Sequence, residues 1–399
     1  MSQALARQAL ERLLSRAERA ANKPENRAIT LPFTQASFPT YFTLPTHAAK
    51  QELHAALREA QRAGAIQIEW DLLAGEDGQI KRILLKDLKT LAQHLGIQTH
   101  ESLLAHARMR LTDWNTLPRV QEILNVWASL RTVRGRSASE TPDLVDALRV
   151  LDFCHDRSGE DIAVRTASAA LFKNSKRLEQ LEPWLDILTA ESLQGPRLSA
   201  EELFANLGLV KHPPAVYLSG SAELELANGL RLQIPSPFVA LAPKSIVRAA
   251  LMPSVHTVLT VENLTVFHEL AAGRAGHPEA HLILFTAGMP APSFMIFYER
   301  LLQELGDRRL YHWGDIDPGG FRVAACLARA AARVGRRLSL WQMDSSRFQP
   351  DLAYRQLTHT DISEMRRICN NYGWIQEAAA LEVSRHGFEQ EALPALLPP

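Results

Sequence analysis

YHWGDIDPGG, residues 311–320, lies between an apolar run and a helical pattern and places two acidic residues at the junction. An extended segment over residues 310–313 would end at Gly314, so Asp315 and Asp317 would project in the same direction from the strand end. Two such carboxylates repel each other unless a cation lies between them. Mg²⁺ takes oxygen ligands, usually one or two carboxylates with water and substrate phosphate, so the pattern suits phosphodiester chemistry.

The same residues could instead have a purely structural role. Asp-x-Asp-Pro-Gly-Gly is good turn chemistry, and the acids could cap a helix that Pro318 opens. His312 neighbours Asp315 but belongs to the strand, so it is interpreted as a core histidine rather than a metal ligand.

A second acidic junction lies upstream, where an apolar run over residues 256–261 ends in Glu262 before a helical pattern. The whole region alternates in this way, which predicts a parallel four-stranded sheet flanked by helices. Ligands of such sheets gather at the carboxyl ends of the strands, where Glu262, Asp315 and Asp317 would all lie. Asp344 ends the last strand and is a second candidate. The predicted strands are 256–261, 282–286, 310–313 and 338–344, and the predicted helices are 264–272, 293–305 and 319–334.

These residues resemble the Toprim domain, in which a Glu after the first strand and an Asp-x-Asp after the third hold Mg²⁺. The Gly-Asp-x-Asp-Pro-x-Gly form is most similar to the topoisomerase VI A subunit and its relatives. Those enzymes also need a nucleophilic tyrosine in an upstream winged-helix domain, and this chain has no tyrosine between Tyr41 and Tyr217. The remaining tyrosines are expected to be poorly placed, so covalent DNA cleavage is disfavoured.

A closer resemblance is to the JetD family (also called MksG type), the DNA-cleaving subunit of Wadjet anti-plasmid systems, which lacks that tyrosine. The likeness lies in residues 261–265 (VENLT), 313–317 (WGDID), 170–179 (ALFKNSKRLE) and 388–391 (FEQE). Residues 1–100 resemble the family more loosely, and the family often has another dipeptide in place of Pro318-Gly319.

The resemblance implies a hydrolytic nuclease in which Glu262, Asp315 and Asp317 hold one or two Mg²⁺ or Mn²⁺ ions. It also implies plasmid double-stranded DNA as substrate, an SMC-type motor complex (JetABC or MksBEF-like) as partner, and a homodimer. Glu389 and Glu391 could add carboxylates near the metals, or they could be a solvated helix end. Three other functions remain open: a Toprim-derived scaffold that binds DNA without cutting it, a transesterase like a type IIB topoisomerase, and a self-sufficient nuclease that is unrelated to SMC-type motors and cuts DNA when alone.

Composition agrees with this interpretation without requiring it. The 399 residues hold 44 Lys plus Arg and 44 Asp plus Glu, so any affinity for nucleic acid must come from local basic patches. Cys154, Cys326 and Cys369 form no Cys-x-x-Cys pair, which excludes a zinc knuckle and fits a reducing compartment. No segment has the length and apolarity of a membrane span, so we expect a cytoplasmic protein that does not bind membranes.

The chain is expected to be a multidomain α/β protein. Residues 1–100 would hold an arm helix and a winged-helix-like module, or an ordinary α/β module. Residues 101–245 would hold a helical segment and a winged-helix DNA-binding domain, and residues 246–399 the Toprim domain with C-terminal helices over 351–394. The finer expectations are a helix over 3–21, an extended connector over 30–43, an acidic turn over 75–78, and short strands over 216–234 that finish the second module around an Asn-Gly turn.

Local positive charge is concentrated in two places. Lys173, Lys176 and Arg177 stand in the predicted DNA-binding domain, and by resemblance they would contact phosphates. The alternative is that they are surface residues paired with Glu179 and Glu182. The loop 131–136 adds Arg134 and Arg136, which are either DNA contacts or part of a solvated surface.

Overall fold

The computed structural model describes residues 2–21, 28–71, 78–273 and 280–399. Most of the predicted acidic turn over 75–78 lies outside them. The chain divides into two compact units, Met1–Val145 and Asp146–Pro399. Within the described residues, no helix is long and apolar enough to cross a membrane.

The N-terminal unit packs helices on a small antiparallel sheet with the strand order β1-β3-β2. The arm helix α1 lies on α3 and α4, and its leucines are buried, because they recur along one side of the helix. The elements are α1 (Ser2–Ala21), β1 (Thr30–Pro32), α2 (Pro39–Phe42), α3 (His47–Arg62), β2 (Ile66–Trp70), β3 (Ile80–Leu85), α4 (Leu88–Leu95), α5 (His100–Arg110) and α6 (Pro118–Ala128).

The segment predicted as an extended connector, residues 30–43, is part of the core instead. Phe33, Phe38 and Tyr41 are buried, and the rings of Phe33 and Tyr41 meet edge to face with centroids 5.1 Å apart. The Tyr41 hydroxyl accepts a hydrogen bond from the Ile80 amide and lies 2.9 Å from His54 Nε2. Burial of these aromatic rings holds the segment in the core. The rings follow neither helical nor strand spacing, so the sequence pattern did not predict their burial.

The C-terminal unit is built around the predicted βα alternation. Its elements are α7 (Thr141–His155), which begins before the division between the units, β4 (Ile162–Ala163), α8 (Val164–Phe172), α9 (Arg177–Gln180), α10 (Glu182–Thr189), α11 (Ala200–Asn206), β5 (Leu209–Val210), β6 (Val216–Gly220), β7 (Ala222–Leu226), β8 (Arg231–Gln233), β9 (Val239–Leu241), β10 (Ile246–Leu251), β11 (Thr257–Val261), α12 (Leu264–Ala271), β12 (His281–Phe285), α13 (Pro292–Gln303), β13 (Arg309–Trp313), α14 (Pro318–Arg333), β14 (Leu338–Leu340), β15 (Arg355–Gln356), α15 (His359–Tyr372), α16 (Ile375–Ser384) and β16 (His386–Gly387).

The central sheet has the strand order β14-β13-β11-β12-β6-β9. The first four strands are parallel and are the four predicted from the sequence. Every residue of β11 is buried, as expected for a parallel strand covered on both faces. The mixed α/β architecture with a parallel sheet is therefore confirmed.

Two details of the predicted sheet are different. β6 and β9 extend it to six strands, because β6 pairs antiparallel with the outer edge of β12 and carries β9 beyond it. The 216–234 region is therefore divided between two sheets. β6 belongs to the central sheet, whereas β7 and β8, on either side of the Asn-Gly turn, form another sheet with β10. The winged-helix character of the two upstream regions, and the borders near residues 100 and 245, stay predictions.

The C-terminal region is not helical throughout 351–394, as the sequence had suggested. α16 ends at Ser384, and the next residue, Arg385, has a left-handed φ of 56°. The chain then pairs as β16 with β15, and Phe388 forms an antiparallel bridge with Ile316. These backbone groups bond to neighbouring segments, and this brings the end of the chain to the edge of the sheet.

We expect Tyr41→Phe to destabilise the N-terminal unit by about 1–3 kcal/mol, because the buried Ile80 amide would lose its acceptor. Hydrogen exchange of peptides covering β3 measures the effect, and Tyr372→Phe is the control, since the Tyr372 hydroxyl makes no hydrogen bond within the described residues. Unchanged exchange in β3 would contradict the assigned role.

Candidate metal centre at the carboxyl edge of the sheet

Register between two neighbouring parallel strands brings the predicted acids together. Val261 of β11 is level with Trp313 of β13, so Glu262 and Gly314 are the next residues on each strand. The Glu262 amide donates to the Trp313 carbonyl at 3.1 Å, and the Asp315 amide donates to Glu262 Oε2 at 3.3 Å. The two junctions predicted from the sequence are therefore one site.

Burial and charge repulsion raise the pKa of both acids. Burial, followed by repulsion from Asp315 and Asp317, raises the pKa of Glu262 to about 8. Burial also raises the pKa of Asp315 to about 6, against the opposing effect of a hydrogen bond from the Gln390 amide. No described lysine or arginine forms an ion pair with either carboxylate.

β13 ends at Trp313, and Asp315 and Asp317 follow it on either side of Ile316, which forms a bridge with Phe388. Asp317 is the N-cap of α14: its Oδ1 accepts from the Gly320 amide at 2.8 Å, so the capping interpretation holds for this acid. Asp315 Oδ1 accepts from the Gln390 amide at 2.7 Å and caps nothing. Gly320 is required here, since a Cβ at that position would lie 2.2 Å from the Asp315 carbonyl oxygen.

Gln390 fastens the end of the chain to the site and is a residue that sequence reasoning missed. It is fully buried, and its side chain accepts from the Asn263 amide at 2.8 Å and donates to the Trp313 carbonyl at 3.1 Å. It therefore bonds to the ends of both β11 and β13, while its own amide holds Asp315. The available signal was its place between two acids in the 388–391 motif.

Glu389 and Glu391 flank Gln390 and are exposed, but they do not end a helix. Both raise the pKa of Asp315 through charge repulsion, so they lie within electrostatic reach of the site. Glu391 Oε1 also accepts from Asn263 Nδ2 at 2.7 Å. Glu202, which the sequence did not single out, adds repulsion at Glu262 while it pairs with Arg322 at 2.8 Å.

Asp344 is engaged away from this cluster. Its Oδ1 accepts from the Ser346 amide and hydroxyl, and its Oδ2 pairs with Arg347 at 3.0 Å. These contacts cap the short 3₁₀ turn Ser345–Arg347 and give Asp344 a structural role. His312 is fully buried, as the sequence indicated.

A tyrosine does lie at the site, contrary to expectation. The Tyr354 hydroxyl donates to Asp317 Oδ2 at 3.1 Å and accepts from Arg355 Nε at 2.8 Å. Burial, then repulsion from Asp317, raises the pKa of Tyr354 to about 12. Tyr354 stands just before β15, which the pairing with β16 brings beside the acidic cluster.

The predicted DNA-binding cations differ in their partners. Lys173 and Lys176 are exposed, and Lys173 ends α8 in the left-handed conformation. Arg177 pairs with Asp146 at 2.7 Å, a partner that the sequence did not indicate.

The other two predicted cations, Arg134 and Arg136, belong to the N-terminal unit. Arg136 pairs with Glu140, and Arg134 occupies a turn with a left-handed φ of 48°. DNA contact by the five residues stays a prediction.

The donor set fits a hard divalent cation of the kind that the resemblance implies. Within the described ranges, no three His, Cys, Asp or Glu side chains already form a group that could hold a metal ion. Mg²⁺, however, commonly takes one or two protein carboxylates and completes its shell with water and substrate phosphate. Glu262 and Asp315 supply such a pair, and their raised pKa values reflect the missing positive charge.

We expect Gln390→Ala to release the end of the chain, because the Asn263 amide and the Trp313 carbonyl would lose their buried partners. The free energy of local opening of residues 386–393 should fall by about 2–4 kcal/mol, as measured by hydrogen exchange. The control is Gln356→Ala, an exposed position of β15, the strand that pairs with β16. Equal protection in both variants would exclude the proposed role of Gln390.

Stability of the metal-free protein should depend on pH through Glu262. Its folded pKa lies above the unfolded value, so its contribution is complete below about pH 4.5 and is lost as the pH rises to about 8. We expect urea unfolding to show a loss of a few kcal/mol over this range, and Glu262→Gln to remove most of it. A Gln variant with the same pH dependence as the wild type would contradict this assignment.

Comparison with known protein families relates the region that holds this site to one of them. The family model described as "Wadjet protein JetD, C-terminal" matches residues 232–394. No curated protein matches the chain. The matched region contains Glu262, Asp315, Asp317 and Gln390, and it leaves out the predicted DNA-binding cations. The C-terminal region of the chain, residues 232–394, therefore belongs to the C-terminal domain family of the Wadjet protein JetD.

Proposed function

We propose that this protein is a metal-dependent endodeoxyribonuclease that hydrolyses phosphodiester bonds without a covalent intermediate. The observation that carries the proposal is the pair of half-buried acids, Glu262 and Asp315, held together at adjacent strand ends without a counter-cation. Carboxylates in this setting are typical ligands of the ions that assist phosphoryl chemistry.

The sheet supports assignment of the C-terminal region to the Toprim class. The resemblance requires a Glu after the first strand and an Asp-x-Asp after the third, and here β11 and β13 are direct parallel neighbours. Because the two strands are neighbours, Glu262 and Asp315 could bind the same metal ion although they are far apart in sequence.

Glu262 and Asp315 would hold one or two Mg²⁺ or Mn²⁺ ions, with Asp317 beside them. Such ions activate water as a nucleophile and stabilise charge on the departing oxygen. Gln390 keeps the Asp315 carboxylate oriented, and the N-terminus of α14 adds a partial positive charge beside the acids. Arg355, whose guanidinium is next to Tyr354, offers a cation to an approaching phosphate.

We also propose the family's setting for this activity: a Wadjet role in which an SMC-type motor presents plasmid double-stranded DNA. One active site cuts one strand, so a double-strand break requires two copies related by a two-fold axis. Lys173 and Lys176 are the exposed cations of the C-terminal unit that we propose for the DNA path.

Tyr354 favours one alternative, a transesterase in which the tyrosine becomes linked to the cut DNA end. Its hydroxyl is at hydrogen-bond distance from Asp317, which makes it the tyrosine to test. Its raised pKa opposes this chemistry, because the nucleophile must lose its proton.

We expect Asp315→Asn to reduce cleavage of supercoiled plasmid at least about 100-fold. The negative charge that would bind the metal ion is lost, while the Asn side chain still accepts the hydrogen bond from the Gln390 amide. The assay uses Mg²⁺ or Mn²⁺, with and without the SMC-type complex, and Asp307→Asn is the control, since Asp307 lies at the opposite end of β13.

The products decide among the three functions. Free DNA ends from the wild type and from Tyr354→Phe support hydrolysis, whereas a protein–DNA adduct that Tyr354→Phe abolishes supports the transesterase. Metal-dependent DNA binding without nicking, with or without the partner complex, supports the scaffold. Full activity of Asp315→Asn would contradict the assigned site.

A further inference from the structure

His312 lies directly beneath the acidic pair on one face of the sheet. It is level with Thr260 of the neighbouring strand, and the next positions on that face are Glu262 and Gly314. The imidazole is fully buried, so water outside the protein does not reach it.

The hydrogen bonds of Thr260 determine which ring nitrogen of His312 carries the proton. The Thr260 hydroxyl donates its one hydrogen to the Tyr311 carbonyl at 3.1 Å. With the hydroxyl hydrogen on the Tyr311 carbonyl, the contact of 2.9 Å with His312 Nδ1 is satisfied when Nδ1 is the donor. In the neutral ring, Nε2 is then an unprotonated nitrogen with a free lone pair.

That lone pair has no partner and faces the acids. His312 Nε2 is a buried polar atom with no hydrogen bond. A Cβ at position 314 would lie 2.9 Å from it and 2.6 Å from Glu262 Oε2, so both atoms border the space that Gly314 leaves open. When Glu262 is ionised, its carboxylate oxygen and the imidazole lone pair are two acceptors that border the same space, and a cation satisfies both.

We propose that His312 Nε2 is a nitrogen ligand of the cation at Glu262 and makes the site prefer Mn²⁺ to Mg²⁺. This inference rests on the proposed function and specifies its cofactor. Mg²⁺ strongly prefers oxygen and keeps its water shell, whereas first-row transition ions accept imidazole readily. An all-carboxylate site would lack this discrimination.

The test measures binding to the metal-free protein, without DNA or cleavage. Titration calorimetry gives the dissociation constants for Mn²⁺ and Mg²⁺, and pulsed electron paramagnetic resonance of bound Mn²⁺ detects coupling to an imidazole nitrogen. The wild type should show that coupling. His312→Asn should lose it and lower the Mn²⁺ to Mg²⁺ preference about tenfold, because the Asn amide keeps the bond to Thr260 and removes Nε2.

Two further variants make the result specific. His312→Gln places an amide oxygen where Nε2 lies, so it should keep binding but lose the nitrogen coupling, and it decides the question if His312→Asn does not fold. His281→Asn is the matched control: His281 is also buried, but it lies at the other end of the sheet and bonds to the Pro398 carbonyl. It should retain both the coupling and the preference.

The outcomes separate this inference from the proposed function. A wild type that binds Mn²⁺ and cleaves DNA without nitrogen coupling, or whose preference changes less than twofold in a folded His312 variant, overturns the role of His312 alone. A wild type that binds neither ion, with or without DNA, overturns the proposed metal site and the ligand together.

Discussion

The close approach of two half-buried acids is the constraint on which this site depends. Glu262 and Asp315 follow neighbouring parallel strands whose register the buried core fixes, so neither can move away without disturbing the sheet. Burial removes the water that would otherwise screen their charges. The fold therefore maintains a position at which a proton or a cation must be present, and the hydrophobic core provides the free energy to maintain it.

The rest of the site can be understood as a response to that constraint. The backbone amide of Asp315 donates to Glu262, the amide of Gln390 donates to Asp315, and the amide of Gly320 donates to Asp317. These donors orient the carboxylates without neutralising them, because none of them carries a full charge. The nearby cation Arg322 is held by Glu202 and Glu364, so it leaves the pair without a counter-charge.

Sequence alone predicted the centre of the site for physical reasons that are local. Each strand and helix of the βα alternation has its own signal, and parallel pairing then forces the strand ends to one edge, so Glu262 and Asp315 were expected to meet. Both interpretations of Asp317 apply in part, since it caps α14 and its charge also raises the pKa of Glu262 and Asp315. Two extra strands were missed because edge pairing with β12 depends on tertiary context.

Gln390 and Arg177 show where such reasoning stops. The partner of the Gln390 side chain, the Asn263 amide, is far away in sequence, and the helical pattern before it suggested a helix end. For Arg177, helix spacing offered Glu179 and Glu182, but the fold brought Asp146 against it from α7. In both cases a long-range contact decided the outcome, and no local period encodes it.

Tyr354 illustrates how the surroundings of a side chain, rather than its presence, set the chemistry. A tyrosine nucleophile must become a phenolate, and the neighbouring Asp317 makes that state unfavourable because the two negative charges would be adjacent. Arg355 opposes this effect, but its guanidinium is partly exposed and also faces Asp361 at 3.6 Å. The Tyr354 hydroxyl is thus better suited to hold Asp317 and Arg355 in place than to attack a phosphate. The same surroundings therefore agree better with the proposed hydrolysis by water than with attack by the tyrosine.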